Sequence, residues 1–138
     1  MEVLVPGGVG HGGTFNGNGI AMAAAIWCVD EMRRRGPALF EGLAETGERL
    51  KAGLEEAARA AGLRVVTRGP GCVFWLAFSE DDPTDAEPPP YRRFRLLMRE
   101  RGVRMGVGGR WYVSAAHGEA EIAETVAAAR SAFRAMAA

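Results

Sequence analysis

Residues 63–78 carry the reading that decides the fold: Leu63-Arg64-Val65-Val66-Thr67-Arg68-Gly69-Pro70-Gly71-Cys72-Val73-Phe74-Trp75-Leu76-Ala77-Phe78. Two runs rich in β-branched and aromatic residues flank a Gly-Pro-Gly turn. That pattern predicts strands at about 63–68 and 72–78, joined as a hairpin. The second run is apolar without alternation, so cover on both of its faces is expected.

Helices flank this hairpin. Upstream, Leu39, Leu43, Leu50, Leu54, Ala57 and Ala61 recur on one helical face. Glu41, Glu45, Glu48, Lys51, Glu55 and Arg59 fill the other, with Lys51–Glu55 as a supporting pair. The helix is expected from Pro37 to about Ala61, with Gly62 as its stop. Downstream, residues 79–90 hold five acids and three consecutive prolines, and read as a solvated loop. A helix over about 91–101 follows, with Phe94, Leu97 and Met98 inward. Val103–Met105 and Trp111–Ser114 read as short strands around a glycine-rich turn. The last helix is expected over about 119–136, striped by Ile122, Val126, Ala129, Phe133 and Met136. This order predicts an α+β fold, a small mainly antiparallel sheet with helices on one face.

The N-terminal region differs. Residues 1–18 are glycine-rich and supply few side chains for a core. A helix is expected from about Ile20 to Arg35, and its residues Ile20 to Val29 are apolar on every side, which predicts burial all round. The expected division is therefore an arm with a linking helix at 1–36 and a small α+β domain at 37–138.

Composition narrows the function classes. The chain of 138 residues has 17 basic and 17 acidic side chains, so nucleic acid is not an expected partner. No apolar run is long enough for a membrane span. There is no basic stretch leading into an apolar leader. Cys28 and Cys72 lie far apart in apolar runs and are expected as buried free thiols of a reducing, cytoplasmic protein. No histidine has ligand-spaced companions, so no metal site is expected.

Four places can carry chemistry. The run Gly7–Gly19 precedes a helix, so its N–H groups and the Thr14 hydroxyl can face an anion; as an alternative it is only an arm. It matches neither a Walker loop nor a dinucleotide fingerprint. His11 lies in that run, and either approaches a ligand or is solvated. His117 is expected to close the loop onto the last helix, and Ser114 near it lacks an orienting acid. Lys51, the only lysine, lies on a charged helix face, unsuited to Schiff-base chemistry, which needs a desolvated amine. Arg110, between a glycine turn and a strand, is either a carboxylate fork or a solvated strand-end residue.

Gly12-Gly13-Thr14-Phe15-Asn16-Gly17-Asn18-Gly19-Ile20-Ala21-Met22-Ala23-Ala24 resembles the "GTxxGNPxAMAA" segment of class III pyridoxal-phosphate aminotransferases. The glutamate-1-semialdehyde aminomutase-like branch is the nearest match. Trp111-Tyr112-Val113-Ser114-Ala115-Ala116-His117-Gly118-Glu119-Ala120-Glu121-Ile122 resembles that branch's "SxAHTEEDI" segment, in the same order. The resemblance covers the whole chain but only the C-terminal portion of the family. It implies the small domain of a fold type I enzyme, a homodimer with sites at the subunit interface, or a complementing N-terminal chain as partner. It implies that Gly13 and Thr14 bind the phosphate of a neighbouring subunit's pyridoxal phosphate; Arg110, from its own place at a strand end, is expected to form part of the substrate cleft.

Two departures stand out, the first loosening the helix entry and the second bearing on the substrate. The family's Pro after Gly-Asn is Gly19 here, and its Gln-Phe-Glu-Ala stretch is replaced by Gly108-Gly109-Arg110. The family's lysine and its pyridine-nitrogen aspartate lie upstream of the match. The expectation is a C-terminal or split part of an aminotransferase, inactive alone. The rival expectation is a non-catalytic binding or assembly module.

Overall fold

The computed structural model describes residues 13–78 and 89–138. The acidic loop and His11 lie outside the described residues. The chain divides into two compact units, Met1–Gly36 and Pro37–Ala138.

In the first unit, α1 spans Gly19–Arg35. The Asn18 side chain accepts from the Ala21 N–H at 3.0 Å, satisfying one of the free donors of the first turn. Arg33, Arg34 and Arg35 occupy the last turn, where the helix dipole favours cations. Gly36 stops the helix with φ 63°, a conformation that suits glycine. Burial all round is not what the chain provides. No α1 residue is buried, and Ile20 and Trp27 are 84% and 68% exposed. An evenly apolar helix needs cover on every side, and the described residues do not supply it. Cys28 rides on this helix and is exposed, contrary to the expectation, while Cys72 is half-buried.

The second unit contains α2 (Pro37–Ala60), β1 (Val66–Arg68), β2 (Val73–Ala77), α3 (Pro89–Glu100), β3 (Arg110–Tyr112) and α4 (Glu119–Ala137). The three strands form one antiparallel sheet in the order β1-β2-β3. Val66 pairs with Ala77 and Trp75 pairs with Arg110. Residues 103–105 form no strand. β2 alternates after all: Phe74 and Leu76 are buried, whereas Val73, Trp75 and Ala77 are half-buried. The sheet thus has one core face and one partly open face.

Phe74, Leu76 and Trp111 from the sheet meet Leu50, Leu54, Ala57 and Ala58 of α2, Phe94 and Met98 of α3, and Ala129 and Phe133 of α4. Phe94 stacks on Phe133 at 4.4 Å, and Phe78 meets both rings edge-on. Small residues allow α2 to lie directly on the hairpin turn. A Cβ on Gly47 would stand 1.7 Å from the Gly71 carbonyl oxygen. The charges of α2 are tied to the hairpin as well. Glu55 accepts from the Thr67 N–H at 3.1 Å and from its hydroxyl, so it does not pair with Lys51. Lys51 pairs with Glu48 and donates to the Gly69 carbonyl.

Candidate functional site

The expected site residues fall in both units. Gly13 and Thr14 belong to the first and Arg110 to the second. Each group is described within its own unit.

Thr14 opens a turn at residues 14–17 just ahead of α1. The Asn16 N–H donates to the Gly13 carbonyl, and the Asn18 N–H donates to that of Phe15. These bonds curl the chain into the start of the helix. Thr14 itself is exposed, and its hydroxyl bonds to no other described residue. A free hydroxyl beside unsatisfied first-turn amides fits one edge of a phosphate contact. No cationic side chain accompanies it before Arg33 among residues 13–36. The donor set is thus a partial cradle, suited to a phosphate whose other contacts come from elsewhere.

Arg110 opens β3. Gly108 and Gly109 lead into it with φ 74° and 73°. A Cβ on Gly109 would stand 2.6 Å from the Leu76 carbonyl oxygen, so the turn needs glycine on both counts. Antiparallel register places Trp75 opposite Arg110, and the guanidinium carbon lies 5.0 Å from the Trp75 ring centroid. One guanidinium nitrogen donates to the Tyr112 hydroxyl at 3.4 Å. Arg110 is therefore held by an aromatic face and a phenol, with no carboxylate partner among the described residues. It borders a cavity of about 200 Å³ that Tyr112, His117 and Thr125 also line. A charged fork with donors to spare beside a cavity suits carboxylate recognition. Trp75 and Tyr112 were not singled out from the sequence. The signal for Tyr112 was its i+2 spacing from Arg110, which puts both on one strand face.

Trp111, between those two residues, turns inward and stacks on Phe74 at 5.7 Å. Its ring N–H is buried without a partner among the described residues.

The remaining candidates have structural roles. His117 Nδ1 accepts the Ser114 N–H at 2.9 Å, and the His117 N–H returns to the Ser114 carbonyl. This closes the loop before α4, as expected. With Nδ1 accepting, the ring proton sits on Nε2. The Ser114 hydroxyl also lies 3.1 Å from His117 Nδ1, but no carboxylate among the described residues bonds to His117 to orient its ring. Lys51 is 14% exposed at its side chain, and its ammonium is spent on Glu48 and the hairpin turn. No group of three or more His, Cys, Asp or Glu among the described residues is arranged to hold a metal. No described helix is long and apolar enough to cross a membrane.

No family model matches the chain. Glutamate-1-semialdehyde 2,1-aminomutase of Neisseria meningitidis is 37% identical over 147 aligned residues, covering 100% of this chain and 34% of that protein. An omega-transaminase from Sphaerobacter thermophilus matches in fold with a TM-score of 0.72 at 29% identity, over 91% of this chain and 30% of its own. The FumI protein of Sphingopyxis sp. MTA144, in its PLP internal aldimine form, matches at a TM-score of 0.72 and 28% identity over 93% of this chain. The chain spans about a third of the length of each of these proteins.

Proposed function

Because the chain is an aminotransferase-like portion of pyridoxal-phosphate enzymes, we propose that it is the C-terminal part of an enzyme that transfers or relocates an amino group. It works with a complementing N-terminal chain, or within a homo-oligomer, in a reducing cytoplasm where Cys28 and Cys72 stay free thiols. Pyridoxal phosphate would supply the electron sink for the reaction. This chain's own share is positioning. Gly13 and Thr14 give one edge of the phosphate site of a neighbouring subunit, and Arg110 orients a substrate carboxylate.

The observation that carries this reading is the state of Lys51. The chain's one primary side-chain amine is committed to Glu48 and to the Gly69 carbonyl. The covalent step therefore belongs to another part of the enzyme. A second reading, a non-catalytic assembly module, draws on the exposed apolar residues of α1.

Reconstitution tests both. The chain is mixed with candidate N-terminal partners, and the cofactor absorbance spectrum is recorded. On the leading reading a pyridoxal-phosphate spectrum develops in the complex and not with this chain alone. Thr14→Ala then weakens cofactor binding about tenfold to a hundredfold, the loss of one hydrogen bond to a charged group. Thr14→Ser keeps the hydroxyl and is much milder. Unchanged affinity in Thr14→Ala refutes the phosphate assignment. A stable complex without the cofactor spectrum favours the assembly module. A stoichiometric borohydride-reduced adduct on Lys51 would sink the division of labour.

A further inference from the structure

The segment 91–110 holds seven arginines and one acid, Glu100, whereas the rest of the chain carries more acids than bases. Three of these arginines line one cavity. Arg95 and Arg99 are one turn apart on α3 and share a helix face. The chain reverses at Gly102, with φ 83°, and brings Arg104 to the same place. Together with Met105, Gly106 and Val107 they line a concave surface of about 530 Å³, and no acid is among its described lining residues. The floor is fixed from below: the Tyr91 hydroxyl donates to the Gly106 carbonyl at 3.0 Å.

Some arginines of the chain pair with a described acid. Arg34 pairs with Glu31 at 2.6 Å and Arg49 with Glu119 at 2.9 Å. Arg99 and Arg104 are exposed and make no hydrogen bond or ion pair with a described residue. Gathering guanidinium groups in one cavity raises their mutual repulsion, and an anion seated among them relieves it. The planar fork of arginine matches the oxygens of phosphate and carboxylate groups.

We propose that the cavity formed by Arg95, Arg99 and Arg104 binds a small, multiply charged oxyanion. Its charge comes from phosphate groups or from clustered carboxylates. Arg104, Met105 and Gly106 also line the cavity beside Arg110, so the two sites share a wall. The proposal is independent of the cofactor reading, because it needs neither a second chain nor pyridoxal phosphate.

Calorimetric titration of the whole chain with sodium pyrophosphate and with citrate, at constant ionic strength, tests it. Saturable one-to-one binding of at least one probe is expected. The double variant Arg99→Gln/Arg104→Gln should lose affinity by about tenfold or more. Arg59→Gln, exposed on α2 and outside the cavity, should bind as the parent does. Tighter binding of pyrophosphate assigns the site to phosphate groups, and tighter binding of citrate assigns it to carboxylates. Two results overturn the proposal. One is no saturable binding of either probe. The other is binding that survives the double variant, or that falls equally in Arg59→Gln. Circular dichroism of each variant confirms that the fold is kept.

Discussion

α1 and α4 are similar helices by ordinary measures. They have 17 and 19 residues, and both are rich in alanine. Yet α4 buries Ile122, Ala129, Ala132 and Phe133, and α1 buries nothing. The difference lies in the arrangement of apolar residues. In α4 they form a stripe, and one packed face satisfies the helix. In α1, Ile20, Met22, Ile26, Trp27, Val29 and Met32 spread around the axis, and all six are exposed. A stripe asks for one neighbour, whereas an all-round distribution asks for several. The chain therefore contains one unit with its own core and one helix written for surroundings larger than the described residues.

The largest effects should separate these two regions. Phe133 is fully buried and stacked on Phe94. Phe133→Ala should destabilise the chain by about 3–5 kcal/mol in urea titration, the usual cost of emptying an aromatic site. Trp27→Ala, an aromatic truncation of larger volume, should change the same midpoint by no more than ~0.5 kcal/mol, as exposed positions do. Equal losses from the two variants would erase the distinction between the regions.

The association of α1 comes next. Six large apolar side chains exposed on one helix are of the kind that soluble proteins usually cover. Sedimentation velocity should show concentration-dependent association of the chain. Ile20→Ser/Trp27→Ser should shift it to monomer, since each buried side chain contributes about 1.5–3 kcal/mol to such a contact. A parent chain that stays monomeric at every concentration contradicts this.

Helix limits were legible in the sequence because they are written in local chemistry. Pro37 begins α2, Gly36 and Gly62 stop helices with positive φ, and Glu119 and Glu121 mark the first turn of α4. Strand limits were less legible, because a strand exists only where it has a partner. Leu63–Val65 are as β-prone as Val66, but the ladder ends where Val66 meets Ala77. Val103–Met105 lack a ladder and form no strand. The even apolarity of 72–78 concealed which face would be half-open.

The site was legible only in outline. Arg110 stood out by its glycine neighbours, but its seat on Trp75 depends on a register that no local pattern displays. Lys51 and Glu55 looked like partners on one helix face. Tertiary contacts assign them instead to the Gly69 carbonyl and to Thr67. The arginine density of 91–110 was visible in composition, but the turn that gathers three of them was not.

A smaller effect probes the close approach of α2 to the hairpin. Gly47→Ala would place a methyl group on the Gly71 carbonyl, backbone against side chain, with no flexible group to yield. The expected loss is about 1–3 kcal/mol, the range for overpacking a tight contact. Gly42→Ala, on the same helix with open space around its Cβ, should be neutral or slightly stabilising. A Gly47→Ala variant as stable as Gly42→Ala would mean that α2 lies farther from the turn.

The smallest effect concerns the start of α4, for which α1 has no counterpart: its first turn holds no acid. Glu121 accepts the Gly118 N–H at 2.8 Å. Hydrogen bonds from its own backbone N–H and from that of Gly118 hold its carboxyl below the ordinary 4.5, and nearby His117 adds to this. A carboxylate whose pKa is depressed by folding stabilises the native state where it is ionised in both states, above about pH 4.5. That contribution fades as pH falls through the folded value, because the folded chain must then take up the proton. Glu121→Gln keeps a side chain able to accept from the Gly118 N–H but loses the charge. Urea midpoints of the parent should therefore exceed those of the variant near neutral pH, by a margin that shrinks as the pH falls below about 4.5. The effect is modest, because the group is exposed and solvent screens it. A margin that grows on acidification would show that Glu121 is protonated in the fold, and that the first turn of α4 is held by its backbone alone.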